Sequence, residues 1–256
     1  MKYESTITIK KPPLLVAWLA LELKDPLPEI ALVRLRESIA KKLDYSYLEV
    51  HQHAKIIGVQ VSRGLEIWTS ENKNSVLGLS KCELYLVSAM PRFVDLLKGA
   101  ESVFSFLKDV DVEEVHEMRL NYYNVFESKG VTTELLRPEF QGPPAEHNHE
   151  HRYFRLVREA AGNRYTTRSV FLHGNQYRPG IRDPEMRIEK YLSLAPAFKV
   201  EESVNCYGLT LTVHRNNVAL KQCTDQLCEF KKSIDEMFLD SITERAVEKW
   251  EVQKIK

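Results

Sequence analysis

With 256 residues, 43% of them apolar and 28% charged, the chain is long enough to bury a core without disulfide or metal staples. Lysine plus arginine balances aspartate plus glutamate at 36 each, which excludes a surface that is basic all over. Any attraction to nucleic acid or to an anionic membrane therefore has to be local.

A short strand over 5–10 is followed by "KKPPLLVAWLALELKD", in which Leu14–Leu23 carries Glu22 as its only charge. No small-residue cleavage site follows, and about 20 residues are needed to span a bilayer as a helix, so a buried strand is expected and no membrane segment. Pro26 and Pro28 introduce a helix over about 28–43, with Ile30, Val33, Ile39 and Leu43 near helical spacing. A strand meander over 45–80 follows, turning at Ser62–Gly64 and Glu71–Asn74. "CELYLVSA" adds another strand, and Pro91 opens a helix to about Asp109 that points Phe93, Leu96, Leu97, Val103, Phe104 and Leu107 inward. Residues 115–126 read as a strand.

Residues 127–150, with Pro138, Gly142, Pro143 and Pro144, read as a loop or linker between an N-terminal α+β subdomain (1–126) and a β-rich C-terminal subdomain (151–256). The second part opens on a hairpin, 151–160 and 164–172, around Gly162-Asn163, and continues through strands near 187–195 and 203–214. It ends in two helices. The first starts at Thr224 with Leu227, Phe230, Ile234 and Met237 on one stripe, and the second opens on a capping box from Ser241 to Glu244. Mixed element order with short connections predicts an α+β fold of mainly antiparallel sheets packed with helices.

Chemistry is concentrated in two places. "EHNHEHR" sets His147, His149 and His151 at alternate positions, so in a strand all three imidazoles would share a face. Such a trio could ligate zinc, nickel or copper for a metal-dependent hydrolase. Same-face residues on one strand nevertheless sit about 6.6 Å apart, and ligand bonds near 2.0–2.1 Å demand convergence. The preceding Gly-Pro-Pro favours a solvated loop tip, and no cofactor is expected. His51 and His53 form a second same-face pair with no evident third ligand.

The other concentration is charge. Arg152, Arg155, Arg158, Arg164, Arg168, Arg178 and Arg182 fall in 152–182 with Glu159 as the only acid, a local net charge of +6. Tyr165 and Tyr177 are among the interleaved aromatics. Guanidinium forks match phosphate geometry and rings can stack on bases, so these residues are candidates for nucleic-acid or partner binding. A turn at 161–163 would pair 158 with 166, placing Arg152, Arg158, Arg164 and Arg168 on one face and Arg155 on the other.

No phosphate loop, dinucleotide fingerprint, nucleophile elbow or zincin helix is present in the sequence. Glu113, Glu114, His116 and Glu117 could serve in acid–base chemistry but read as a solvated strand start, so no catalytic residue is assigned. The four cysteines, Cys82, Cys206, Cys223 and Cys228, form no C-x-x-C pair and fit reduced thiols in the cytoplasm.

Three fragments resemble a sporadically distributed prokaryotic family of unknown function. "IKKPPLLVAWLALEL" is similar to its Asn-Pro-Pro-Leu-Val-Glu opening, with Ala17 near the place of the glutamate. "VHEMRLNYYNVFES" resembles its central strand through Leu120, Tyr122 and Asn124, and "QLCEFKKSIDEMFLDSITERAVEKW" resembles its closing signature through Phe238, Ile242, Thr243 and Glu244. The resemblance implies a family with no agreed catalytic residues, and together with the missing catalytic constellation and the neutral net charge it leads to the expectation of a non-catalytic adaptor or accessory factor with a protein partner, as in phage-defence or mobile systems. Protein purified without an affinity tag is expected to carry well under one equivalent of zinc, nickel or copper by elemental mass spectrometry. A stoichiometric metal would restore the histidine trio as a site.

Overall fold

The computed structural model describes residues 7–10, 14–51, 56–57, 60–61, 65–71, 74–89, 92–128, 133–141, 153–172 and 205–254. In chain order the strands are β1 (Ile7–Ile9), β2 (Leu14–Leu23), β3 (Tyr45–His51), β4 (Ile56–Ile57), β5 (Gln60–Val61), β6 (Leu65–Ser70), β7 (Ser75–Leu79), β8 (Glu83–Ala89), β9 (Glu114–Ser128), β10 (Tyr153–Ala160), β11 (Asn163–Leu172), β12 (Asn205–Ala219) and β13 (Val252–Lys254). The helices are α1 (Glu29–Lys42), α2 (Phe93–Lys108), α3 (Cys223–Ser241) and α4 (Glu244–Trp250). Nine strands form one antiparallel sheet in the order β10-β11-β12-β9-β2-β8-β7-β6-β3, and β1 pairs with β13 separately. The expected α+β class of antiparallel strands packed with helices is the class observed.

Alternation along β2 explains its apolar run. Ala17, Leu19, Leu21 and Leu23 enter the large core, while Val16, Trp18 and Ala20 enter a smaller cluster with Leu65, Ile67, Val76, Tyr85, Val87 and Tyr123 on the opposite side of the sheet. A strand buried on both faces has no solvent side to mark with polar residues. The large core draws on α1, α2 and α3, so the helices cover one face. Residues from 1–126 and from 151–256, the two expected subdomains, share this one core and one sheet.

On α1 the buried residues are Ala31, Leu32, Leu35 and Ile39, whereas Ile30 and Val33 are 67% and 45% exposed. The expected stripe was therefore rotated. Arg36 ties the helix to the sheet through Nε and Glu66 Oε2 at 3.0 Å. Within the expected linker, residues 133–141 are anchored rather than loose. Leu136 bridges to Ile242, Gln141 Nε2 donates to the carbonyls of Thr133 and Leu136 at 2.7 Å each, and Phe140 is buried. The capping box is displaced as well. Ser241 donates its hydroxyl back to Met237 O at 2.7 Å inside α3, and Thr243 caps α4 by accepting from Ala246 N–H at 3.3 Å.

An ion pair lies inside the large core. Lys231 and Asp235, one turn apart on α3, are bonded to each other and buried, and the ammonium sits 5.4 Å from the Tyr122 ring and 6.0 Å from that of Phe93. Burial pulls the Lys231 pKa down while Asp235 raises it. Removing one member of such a pair strands a desolvated charge, whereas removing both does not. Asp235→Ala should cost about 3–5 kcal/mol in urea unfolding, and Lys231→Met with Asp235→Leu should recover most of that.

Candidate functional site

The hairpin of β10 and β11 turns on Ala161 and Gly162, with φ of 51° and 79°. Both are left-handed, as a two-residue type I′ turn requires. The ladder is one residue out from the expected register, with Arg158 opposite Tyr165 and Arg155 opposite Arg168. A one-residue slip exchanges the faces of one strand relative to the other. Arg155, Arg164 and Arg168 therefore share the face opposite the helices. Arg158 lies on the helix side with Phe154 and Leu156, its guanidinium 6.0 Å from the Tyr165 ring centroid. Tyr165 is thus absent from the arginine face.

Register carries this face inward across the sheet. Arg168 stands opposite Thr210 and Arg164 opposite His214 on β12, and Thr210 and His214 stand opposite Tyr123 and Arg119 on β9. Between these rows, Thr212 donates to Asn121 Oδ1 at 2.7 Å. Accessibility falls from the edge toward the middle of the sheet. Arg155 and Arg164 are exposed, Arg168, Thr210, Thr212 and His214 are half-buried, and Asn121 and Tyr123 are buried. The reachable surface is consequently β10, β11 and β12, a set of guanidinium groups spaced by hydroxyls, one imidazole, Val157 and the Glu159 carboxylate, which lies 3.9 Å from Arg164 Nε. Gly208 on β12 permits the inner packing, because a Cβ there would come 2.6 Å from the Tyr123 hydroxyl.

Toward one end of the same face the charge reverses. Glu117 is paired across the sheet with Glu22, and Glu22 with Glu83. His214 Nδ1 is 3.7 Å and Arg119 Nε 3.4 Å from Glu117 Oε1. The His214 imidazole, followed by Arg119, holds the Glu117 carboxyl below its ordinary value against the opposing effect of burial. The crease lined by Ala20, Glu22, Glu83, Tyr85, Glu117 and Arg119 has room for about 10 Å³, one water at most. An apolar gap between Leu19, Leu77, Leu86 and Val103 holds none.

Glu113, Glu114 and His116 are exposed, in keeping with a solvated strand start. Burial pushes the Cys223 thiol up to about 12 and raises Cys82 and Cys228 as well, the opposite of what a nucleophile needs. Arg152, Arg178, Arg182, Tyr177 and the trio His147, His149 and His151 lie outside the described residues, as does the side chain of His51. Among the described residues no group of three or more His, Cys, Asp or Glu side chains could hold a metal ion, and no helix is long and apolar enough to cross a membrane. Sequence reasoning passed over Arg119, Asn121, Thr210, Thr212 and His214, since each is ordinary alone and only the β11–β12 and β9–β12 registers join them to the arginines.

The fold defines an α+β protein built on a single nine-stranded antiparallel sheet with helices on one face. No protein-family model matches the chain, and no curated protein matches it.

Because the folded pKa of Glu117 is depressed, its contribution to stability is present above the unfolded carboxylate range, near 4.3, and is lost as pH falls through the folded value. Wild-type protein should therefore lose more stability between pH 6 and pH 3 than Glu117→Gln. Urea unfolding at the two pH values gives the comparison, and equal losses would remove the Glu117–His214–Arg119 cluster as an electrostatic unit.

Proposed function

We propose that this protein binds an anionic macromolecule, a nucleic-acid backbone, on the open face of β10, β11 and β12. What supports the reading is the placement of Arg155, Arg164 and Arg168 on one accessible face, with Thr166, Thr210 and Thr212 between and beside them. Guanidinium groups match phosphate bidentately and hydroxyls add neutral donors. Contact through phosphates is expected, with little sequence preference. The mechanism is binding without bond-making.

A second reading, a protein-docking accessory factor of the kind expected for the resembled family, is favoured by Ile30 and Val33, which stand exposed three residues apart on α1. Large apolar side chains held in water on one helix side suit a partner surface.

Fluorescence anisotropy with labelled single-stranded and duplex oligonucleotides across a salt series tests the first reading. Arg155→Ala, Arg164→Ala and Arg168→Ala combined should weaken binding and lower the magnitude of the log K against log salt slope by about 2 for a single strand. An unchanged slope would sink the nucleic-acid reading, and a pull-down that survives nuclease treatment but is lost with Ile30→Asp would favour the second.

A further inference from the structure

The two edges of the nine-stranded sheet are built differently. At one end β3 carries a register shift between Tyr47 and Glu49, a bulge that disrupts the ladder where a stray strand would add. At the other end β10 pairs with β11 from Tyr153↔Val170 to Ala160↔Asn163 without a shift. Its sequence, YFRLVREA, contains neither proline nor lysine, two common guards of an open edge. Among the described residues the outer side of β10 has no strand partner, and Leu156 and Val157 are 40% and 38% exposed. A straight, unguarded edge with apolar side chains at its middle is a pairing surface.

Its charges say what fits. We propose that β10 pairs antiparallel with β10 of a second copy of this chain about a twofold axis at Val157, extending the sheet across a dimer. In an antiparallel pair, facing residues have the same hydrogen-bonding direction, so a twofold pairing must join positions of equal parity. Centred on Val157, the pairing sets Arg155 of each copy opposite Glu159 of the other, twice, with Val157 against Val157 on the same face. On the helix side each Leu156 lies opposite the other copy's Arg158, whose methylenes cover it. Neighbouring registers lose this match. Centring on Arg155 or on Glu159 opposes like charges, and centring on Leu156 or Arg158 leaves Arg155 or Glu159 facing valine. Glu159 is near Arg164 within its own chain, 3.9 Å from Nε, but is mostly exposed and free to accept a second guanidinium. Isologous pairing of this kind closes on itself and leaves no further edge at that end.

This assignment does not depend on the nucleic-acid reading, because sedimentation without nucleic acid tests it. The full chain should sediment at twice the 29.7 kDa monomer mass in the micromolar range. Glu159→Arg, which turns both pairs repulsive, should raise the dimer dissociation constant about tenfold or more. Arg155→Glu combined with Glu159→Arg should restore the wild-type constant, which loss of folding could not do. Val157→Cys should form an intermolecular disulfide under mild oxidation that wild-type protein does not, because facing residues sit about 4.5–5.5 Å apart, within disulfide reach. A wild-type monomer at high micromolar concentration, an unaffected Glu159→Arg dimer, a charge swap that fails to rescue, or no Val157→Cys cross-link would each overturn the proposal.

Discussion

β9 and β12 run side by side from Glu114↔Ala219 to Ser128↔Asn205, and almost everything else in the molecule is placed by that pairing. On its other side β9 pairs with β2, from Leu14↔Val125 to Leu23↔Val115, so one strand carries both halves of the chain. The β10–β11 hairpin reaches the sheet only through β12. The chain then leaves β12 by a short 3-10 turn, Leu220–Gln222, directly into α3, which drops onto the helix side beside β9 and β12. One long-range register thus fixes the core, the face that the arginines share and the position of the buried Lys231–Asp235 pair. Such non-local pairing is slow to find, because loop-closure entropy is lost before any contact is gained.

That dependence also explains which features could be read from the sequence. Periodicity within a segment is local, and it located β2, α2, the terminal helices and the β10–β11 hairpin. It gave the position of α1 but turned it the wrong way, because Ile30 and Val33 satisfy helical spacing while facing water. Register is unforgiving. A turn drawn one residue too wide put Arg155 on the wrong face, since the side-chain period in a strand is two. The pair on α3 was invisible for a different reason: lysine and aspartate four apart on a helix usually mark a solvated side. Residues 133–141 looked like a linker because proline and polar residues dominate them, yet Gln141 satisfies the backbone of Thr133 and Leu136 and lets Leu135, Leu136 and Phe140 be buried.

The two faces of the sheet divide labour by chemistry. The helix side is closed by leucine, phenylalanine and the buried Lys231–Asp235 pair, and supports stability. The opposite side passes from a buried apolar cluster around Trp18 and Tyr85 to exposed guanidinium groups at β10 and β11, with threonine and asparagine between. A gradient of that kind leaves the charged end wet and the apolar end covered. Arg155 and Arg164 stay exposed, and β11 and β12 beneath the basic face are each paired on both sides. Flat presentation on a paired sheet spaces side chains by fixed strand and residue intervals, which suits a repeating anionic partner better than a compact small molecule.

Arg155 is claimed by both proposals, and the two claims are compatible on donor geometry. A guanidinium offers five N–H donors, and a bidentate carboxylate occupies two of them. Pairing with Glu159 across a twofold axis would leave three donors directed away from the carboxylate. The same pairing would hold Arg155 in one orientation, with less side-chain entropy to lose when a phosphate arrives. It would also set the Arg164 and Arg168 pairs of two copies on one continuous sheet face, so that a single backbone could meet both sets at once. Two weak patches on one rigid surface bind a long anion far more tightly than either alone, because the second contact is made at high effective concentration. On this geometry, the acid at Glu159 makes the basic face larger by joining two copies, at the expense of one negative charge on each.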